Sequence, residues 1–116
     1  MNKPSKYKSV KTTVNGGVFD SKAEARRYGA LLILQAHGAI THLKRQVAYV
    51  LAPSVKIHGE KRARPALRYL ADFEYIEAGV LIVEDVKSSA TAKLPTFRAK
   101  QHLMKHVHNI DVRLTQ

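Results

Sequence analysis

The sequence predicts an α/β domain in which a mixed β-sheet is flanked by helices. Three observations support this fold class: a length of 116 residues, two segments with helical spacing of apolar residues, and intervening segments rich in β-branched and aromatic residues. The predicted order is hairpin, helix, three strands, helix and strand. We therefore expect a single domain over residues 1–116.

The beginning of the chain predicts a basic arm followed by a small β-hairpin. Residues 1–9 are rich in lysine, including Lys8, a composition typical of a flexible segment that a negatively charged partner orders. Asn15-Gly16 is the strongest short hairpin signal, because both central residues of such a turn need a positive φ. A leading β-hairpin is therefore expected around this turn.

The clearest helix is predicted to open at Asp20-Ser21 and to end near His37, where Gly38 provides a left-handed stop. Its apolar face is expected to contain Ala25, Tyr28, Leu31 and Leu32. Its solvent-facing residues are expected to include Lys22, Arg26 and Arg27.

Three strands are predicted after this helix. The first spans Gln46–Leu51, and a polar segment over residues 54–66 then predicts a loop or an extended hairpin tip. Arg68–Ile76 and Val80–Lys87 are expected to pair as an antiparallel hairpin across a short turn.

A second helix and a short strand are predicted to close the chain. Pro95 suits the first position of a helix, and the apolar spacing continues to about His108-Asn109. Ile110–Leu114 alternates as a short strand does.

The charge and composition of the chain favour some classes of function and exclude others. There are 20 Lys and Arg residues against 9 Asp and Glu, and this net charge of +11 favours a polyanion such as nucleic acid. The absence of cysteine excludes disulfides, thiolate metal sites and a cysteine nucleophile. No apolar run is long enough for a membrane span, and no secretory signal is visible, so we expect a cytoplasmic protein.

The positions of the few acidic residues predict a site on the central hairpin. If its turn is Glu77–Val80, then Asp72 lies opposite Asp85 on one face of the strand pair. A shift of one residue would instead pair Asp72 with Glu84. We choose the Asp85 register and expect Glu84 to face outward, balancing nearby basic charge.

Two opposed carboxylates suit a divalent cation. They repel each other, and without a counter-ion one of them is expected to hold a proton near neutral pH. Mg²⁺ and Mn²⁺ prefer oxygen ligands and keep some of their waters, so two carboxylates and a phosphate oxygen suffice for a site. Lys87 shares a face with Asp85 and could orient an attacking water.

These motifs resemble the signature of the PD-(D/E)XK nuclease superfamily. Asp72 in Leu70-Ala71-Asp72-Phe73 precedes Asp85-Val86-Lys87 by 13 residues. With Gln46 and the helical segment over residues 19–28, the chain is similar to small phage and prophage nucleases of that superfamily. Ala71 stands where the signature has proline.

The resemblance implies a restriction-endonuclease-like fold and magnesium-dependent cleavage of DNA in phage recombination, repair or packaging. It implies a metal site of Glu24, Asp72 and Asp85, with Lys87 as the fourth catalytic residue. From the residues alone, Glu24 has another interpretation, because Ser21-Lys22-Ala23-Glu24 is a capping box.

Branched DNA such as a Holliday junction is a plausible substrate by analogy, and cutting two strands would require a homodimer. The alternative hypothesis is a nucleic-acid-binding module with the same fold and no catalysis. Contacts with the DNA backbone are expected from Lys8, Lys11, Arg26, Arg27, Arg62, Arg64, Arg68 and Lys100.

Overall fold

The computed structural model describes residues 12–14, 17–19 and 21–116. Its strands are β1 (Thr12–Val14), β2 (Gly17–Phe19), β3 (Ile40–Ala52), β4 (Leu67–Glu77), β5 (Val80–Val86) and β6 (Arg113–Thr115). Its helices are α1 (Lys22–Ala36), α2 (Ser89–Ala92) and α3 (Pro95–His108). The predicted order of elements is confirmed, with α2 as an additional short helix. The basic arm and the Asn15-Gly16 turn lie outside the described residues.

The main sheet is four-stranded and mixed, in the order β3-β4-β5-β6. β3, β4 and β5 are antiparallel neighbours, whereas β5 and β6 run parallel and are connected through α2 and α3. β1 and β2 form a separate antiparallel pair, as predicted. The chain is therefore an α/β domain with helices packed on a mixed sheet.

Two buried clusters lie on opposite faces of this sheet. The α1-side core consists of Leu31, Ile40, Phe73 and Tyr75. The α3-side core consists of Leu51, Tyr69, Ala71, Val83, Phe97, Met104 and Val112. Ile82 packs on the first cluster and its neighbour Val83 belongs to the second, and consecutive residues of a strand point to opposite faces. α1 and α3 therefore cover different faces.

Local backbone geometry explains the ends of α1 and the central hairpin. The Ser21 hydroxyl oxygen accepts a hydrogen bond of 3.1 Å from the Glu24 amide and caps α1, while Gly38 follows the helix with a φ of 81°. Ala78 and Gly79 have φ values of 51° and 78°, as a two-residue hairpin turn requires. The β4–β5 turn thus has the length that the register prediction needs.

Two strand predictions were wrong in extent. β3 begins at Ile40 rather than Gln46. The sequence did not reveal its first residues, because positive φ values at His42 and Gln46 and a register shift after Thr41 interrupt the regular alternation of a strand. The closing strand begins at Arg113, so Ile110 belongs to the connection after α3. No helix among the described residues has the length and apolar character that a membrane crossing requires.

Candidate active site

The predicted register of the central hairpin is confirmed. Ile76 pairs with Leu81, and the ladder between β4 and β5 continues to Phe73 and Glu84. One step further, Asp72 and Asp85 face each other, and each carboxylate accepts a hydrogen bond from the opposite strand. The Asp72 amide donates to Asp85 Oδ1 at 2.8 Å, and the Val86 amide donates to Asp72 Oδ2 at 2.9 Å. Asp72 is therefore joined to Asp85, as chosen from the sequence.

The buried side chains of β4 change from one face of the sheet to the other at Asp72. Tyr69 and Ala71 belong to the α3-side core, whereas Phe73 belongs to the α1-side core. Residues two apart in a regular strand share a face, so the strand rotates between Ala71 and Phe73. Across the β3–β4 register from Asp72 lies Gln46, which has a φ of 52°. The aspartate pair thus lies where β4 rotates and where its pairing with β5 ends.

The two aspartates share a site of like charge, in which Asp85 is buried and Asp72 is half-buried. The pKa of Asp72 is raised to about 7, first by burial and then by the charge of Asp85, with a smaller contribution from Glu24. Burial also raises the pKa of Asp85, against hydrogen bonds from the Tyr69 hydroxyl and the Asp72 amide. These directions agree with the repulsion expected from the sequence.

Glu24 lies at the edge of this acidic site. It is buried in the first turn of α1, and its Oε1 accepts a hydrogen bond of 3.0 Å from Gln46 Nε2. Its charge raises the pKa of Asp72, so the two carboxylates interact. The serine half of the predicted capping box is also present, because Ser21 caps the Glu24 amide. Capping by Ser21 is therefore compatible with a Glu24 carboxylate directed to β3.

The acidic residues offer an incomplete set of metal ligands. Among the described residues, no three His, Asp or Glu side chains form a group that could hold a metal ion. Asp72 and Asp85 nevertheless supply two hard oxygen ligands, and a cation would relieve their repulsion. Because Mg²⁺ retains several waters and uses one or two carboxylates with substrate phosphates, the donor chemistry fits this ion.

Lys87 lies on the same side of the sheet as Asp85. Its ammonium group is 5.3 Å from the centroid of the Phe97 ring, a cation–π geometry. Asp85, Lys87, Phe97 and Lys100 line one open cavity of about 390 Å³. The positive charge of Lys87 partly offsets the effect of burial, which raises the pKa of both aspartates. The structure thus brings Lys87 together with Asp85, as the sequence predicts, and adds Lys100 to the same cavity.

The predictions for Glu84 and Arg27 were wrong in orientation. Glu84 is fully buried, and its carboxylate accepts hydrogen bonds of 2.7 and 2.9 Å from the Arg27 guanidinium. The Tyr75 hydroxyl donates to it at 2.6 Å, and the Thr115 hydroxyl at 3.1 Å. Burial alone would raise the pKa of Glu84, but these bonds lower it below its ordinary value. Arg27 therefore serves the fold and is not a free contact for DNA.

The remaining basic residues differ in their surroundings. Arg26, Arg62 and Arg68 are exposed, whereas Arg64 makes an ion pair of 2.6 Å with Glu60. Lys8 and Lys11 lie outside the described residues. Sequence reasoning missed Tyr69, whose hydroxyl donates to Asp85. Regular alternation assigns Tyr69 and Asp72 to opposite faces of β4, so no sequence pattern could have linked Tyr69 to the site.

Comparison with known proteins identifies a family. Residues 4–116 match the DUF1064 family, which is described as a protein of unknown function, and the chain belongs to that family. Searches of curated proteins and of solved structures gave no match to this chain.

Proposed function

We propose that this chain is a metal-dependent endonuclease that hydrolyses phosphodiester bonds in DNA. The observation that carries the proposal is the pair formed by the half-buried Asp72 and the buried Asp85, beside Lys87 at the end of the β4–β5 ladder. Two carboxylates that repel each other in a buried site favour a bound cation, and a net charge of +11 favours a polyanionic substrate.

The proposal includes a restriction-endonuclease-like core. Three features support this assignment: a helix precedes the sheet, the two central strands β4 and β5 carry Asp72 and Asp85, and a helical crossover leads to a parallel strand. The resemblance to PD-(D/E)XK nucleases adds cutting of branched DNA by a homodimer in phage recombination or repair, within the host cytoplasm.

The residues of the site would divide the chemistry among them. Asp72 and Asp85 would hold Mg²⁺ or Mn²⁺, with Glu24 as the adjacent acidic residue. When bound, the cation would neutralise the carboxylates and polarise the phosphate. The Tyr69 hydroxyl orients Asp85 through a hydrogen bond. Lys87, held over Phe97, would position the attacking water and donate to the charge that develops on the phosphate.

The test is nicking of supercoiled plasmid in Mg²⁺ or Mn²⁺. The wild type is expected to nick the plasmid, and Asp85→Ala and Lys87→Ala are expected to lose this activity. Lys56→Ala is the control, because it removes a positive charge outside the cavity. Equal nicking by wild type and both site variants would contradict the proposed site. Binding without cutting in either metal would favour the non-catalytic binding module.

A further inference from the structure

The cavity beside the proposed catalytic residues contains features that phosphate chemistry does not need. Asp85, Lys87 and Lys100 supply its charged groups. Its other walls include the residues Leu70 and Leu94, which are 58% and 41% exposed. Exposed leucines next to a charged site are available for contact with an apolar group of the substrate.

The size of the cavity limits what can enter it. About 390 Å³ lies near the lower end of the range of small-molecule sites, roughly 300–1,000 Å³. A cavity of that size can receive one base or nucleoside. A base that remains paired and stacked inside a duplex cannot reach such a site, so the base must leave the stack.

The chemistry of the walls suits a base. Extruded bases are held by stacking against apolar or aromatic side chains and by hydrogen bonds to their edges. Leu70 and Leu94 offer apolar surface. Thr91 and Thr96 line the same cavity. The Thr91 hydroxyl accepts a hydrogen bond from Ser88 and retains its proton for a base edge, and a threonine hydroxyl such as that of Thr96 can donate and accept.

The charges at the cavity suit the backbone that carries the base. Lys87 comes directly after β5, and Lys100 lies one turn into α3. The two ammonium groups outnumber the one carboxylate of the cavity, Asp85, and with the apolar walls they complement a nucleotide, which has an apolar base face and an anionic phosphate. This complementarity distinguishes a nucleotide from an apolar peptide or a lipid chain as the occupant.

We propose that this cavity receives one unstacked base of DNA, and that the preferred substrate class is DNA with an unpaired segment beside the cleaved phosphodiester. The inference rests on the proposed nuclease function and names its substrate. Flaps, gaps and branches contain such segments, whereas an intact duplex must first lose a base pair.

The experiment compares the binding of matched DNAs in buffer containing EDTA, so that no cleavage occurs. The full chain is titrated against an intact duplex, a gapped duplex and the same gapped duplex with abasic sites in its unpaired segment. The abasic DNA keeps the phosphates and the flexibility and lacks only the bases. We expect the gapped duplex to bind about fivefold tighter than the other two DNAs, the low end expected for one stacked base.

Two variants localise the preference to the cavity. Leu70→Ser and Leu94→Ser are each expected to remove most of the fivefold preference. Leu94 is the N-cap residue of α3 and lacks a side-chain cap, so serine there is expected to maintain the helix. Leu67→Ser is the matched control, because Leu67 lies on β4, is 53% exposed and does not line the cavity.

The outcomes separate this inference from the nuclease proposal. Equal binding of intact, gapped and abasic DNA by a protein that cuts plasmid would overturn the base site and leave the nuclease function standing. A preference that Leu67→Ser lowers as much as Leu94→Ser would also overturn it. A base-dependent preference without cleavage in any metal would support the base site and contradict the nuclease.

Discussion

Glu84 and Asp85 are neighbours on β5, and both are buried, yet their environments are opposite. Glu84 points to the α1 side and binds the Arg27 guanidinium through both oxygens. Asp85 points to the α3 side, where its hydrogen bonds come from a neutral hydroxyl and a backbone amide. The pKa of Glu84 is accordingly lowered, and the pKa of Asp85 is raised.

This difference separates a structural acid from a candidate functional one. The charge of Glu84 is compensated inside the fold, so it needs no ligand. Asp85 and Asp72 keep a like-charge repulsion that weakens the metal-free fold, and strongly perturbed carboxylates of this kind cluster at functional sites. We therefore expect substitution of Glu84 to affect stability first and substitution of Asp85 to affect activity first.

The largest expected effect is on cleavage by Asp85→Asn. Asparagine keeps one oxygen that can accept from the Asp72 amide, and its NH2 group can donate to the Tyr69 hydroxyl oxygen in place of the second carboxylate oxygen. The substitution removes the charge that would bind the cation. Plasmid nicking in Mg²⁺ should fall on the order of 10³-fold, about 4 kcal/mol in the activation free energy. The free energy of unfolding in metal-free buffer at pH 8, measured by urea titration, should remain equal or rise. Wild-type nicking by this variant would contradict the role of Asp85.

Glu84→Gln should produce the next effect, on stability. The substitution leaves Arg27 without its partner charge, and because the Arg27 side chain is 26% exposed the cost should lie below the roughly 3–5 kcal/mol of a fully buried pair. Urea unfolding should show this loss, while the nicking rate per folded molecule should fall far less than in Asp85→Asn. The double variant Arg27→Met, Glu84→Leu should recover much of the stability, because no charge remains buried. Equal stability of Glu84→Gln and wild type would contradict the structural role.

A smaller effect on stability is expected when the pH is changed. A carboxyl group with a folded-state pKa of about 7 and an unfolded pKa near 4 binds more protons when folded, so its contribution to stability falls as pH rises through that interval. The Tm of Asp72→Asn relative to wild type should therefore increase from pH 4 to pH 7 in metal-free buffer. Addition of Mg²⁺ at pH 8 should raise the wild-type Tm more than that of the variant. A constant Tm difference would contradict the raised pKa.

Glu84 should respond to pH in the opposite direction. Its folded-state pKa is lowered, so its stabilising contribution is present above the unfolded pKa and is lost as the pH falls below about 4. The Tm difference between wild type and Glu84→Gln should therefore shrink in acid. Asp72 and Glu84 thus give pH profiles of opposite sign.

The central hairpin could be predicted from the sequence because the residues that determine its register lie close together along the chain. A short turn with Gly79 sets the β4–β5 register, and that register sets which acid faces Asp72. The Arg27–Glu84 pair could not be predicted, because its partners are 57 residues apart and meet only when α1 packs on the sheet. The rotation at Asp72 was also hidden, since the apolar alternation of β4 continues through it.

Arg26 and Arg27 on α1 also differ in whether their charge is compensated inside the fold. The smallest effect we expect is the loss of DNA affinity when Arg26 is substituted. Arg26 is exposed, whereas the guanidinium of Arg27 is bound to Glu84. If Arg26 contacts one phosphate, Arg26→Ala should weaken duplex binding a few-fold at low salt and lower the slope of log K against log salt by about 0.9. Arg64→Ala is the control, because Glu60 already neutralises that arginine and the slope should change less. An unchanged slope in Arg26→Ala would remove α1 from the DNA-binding surface and leave that role to other basic residues.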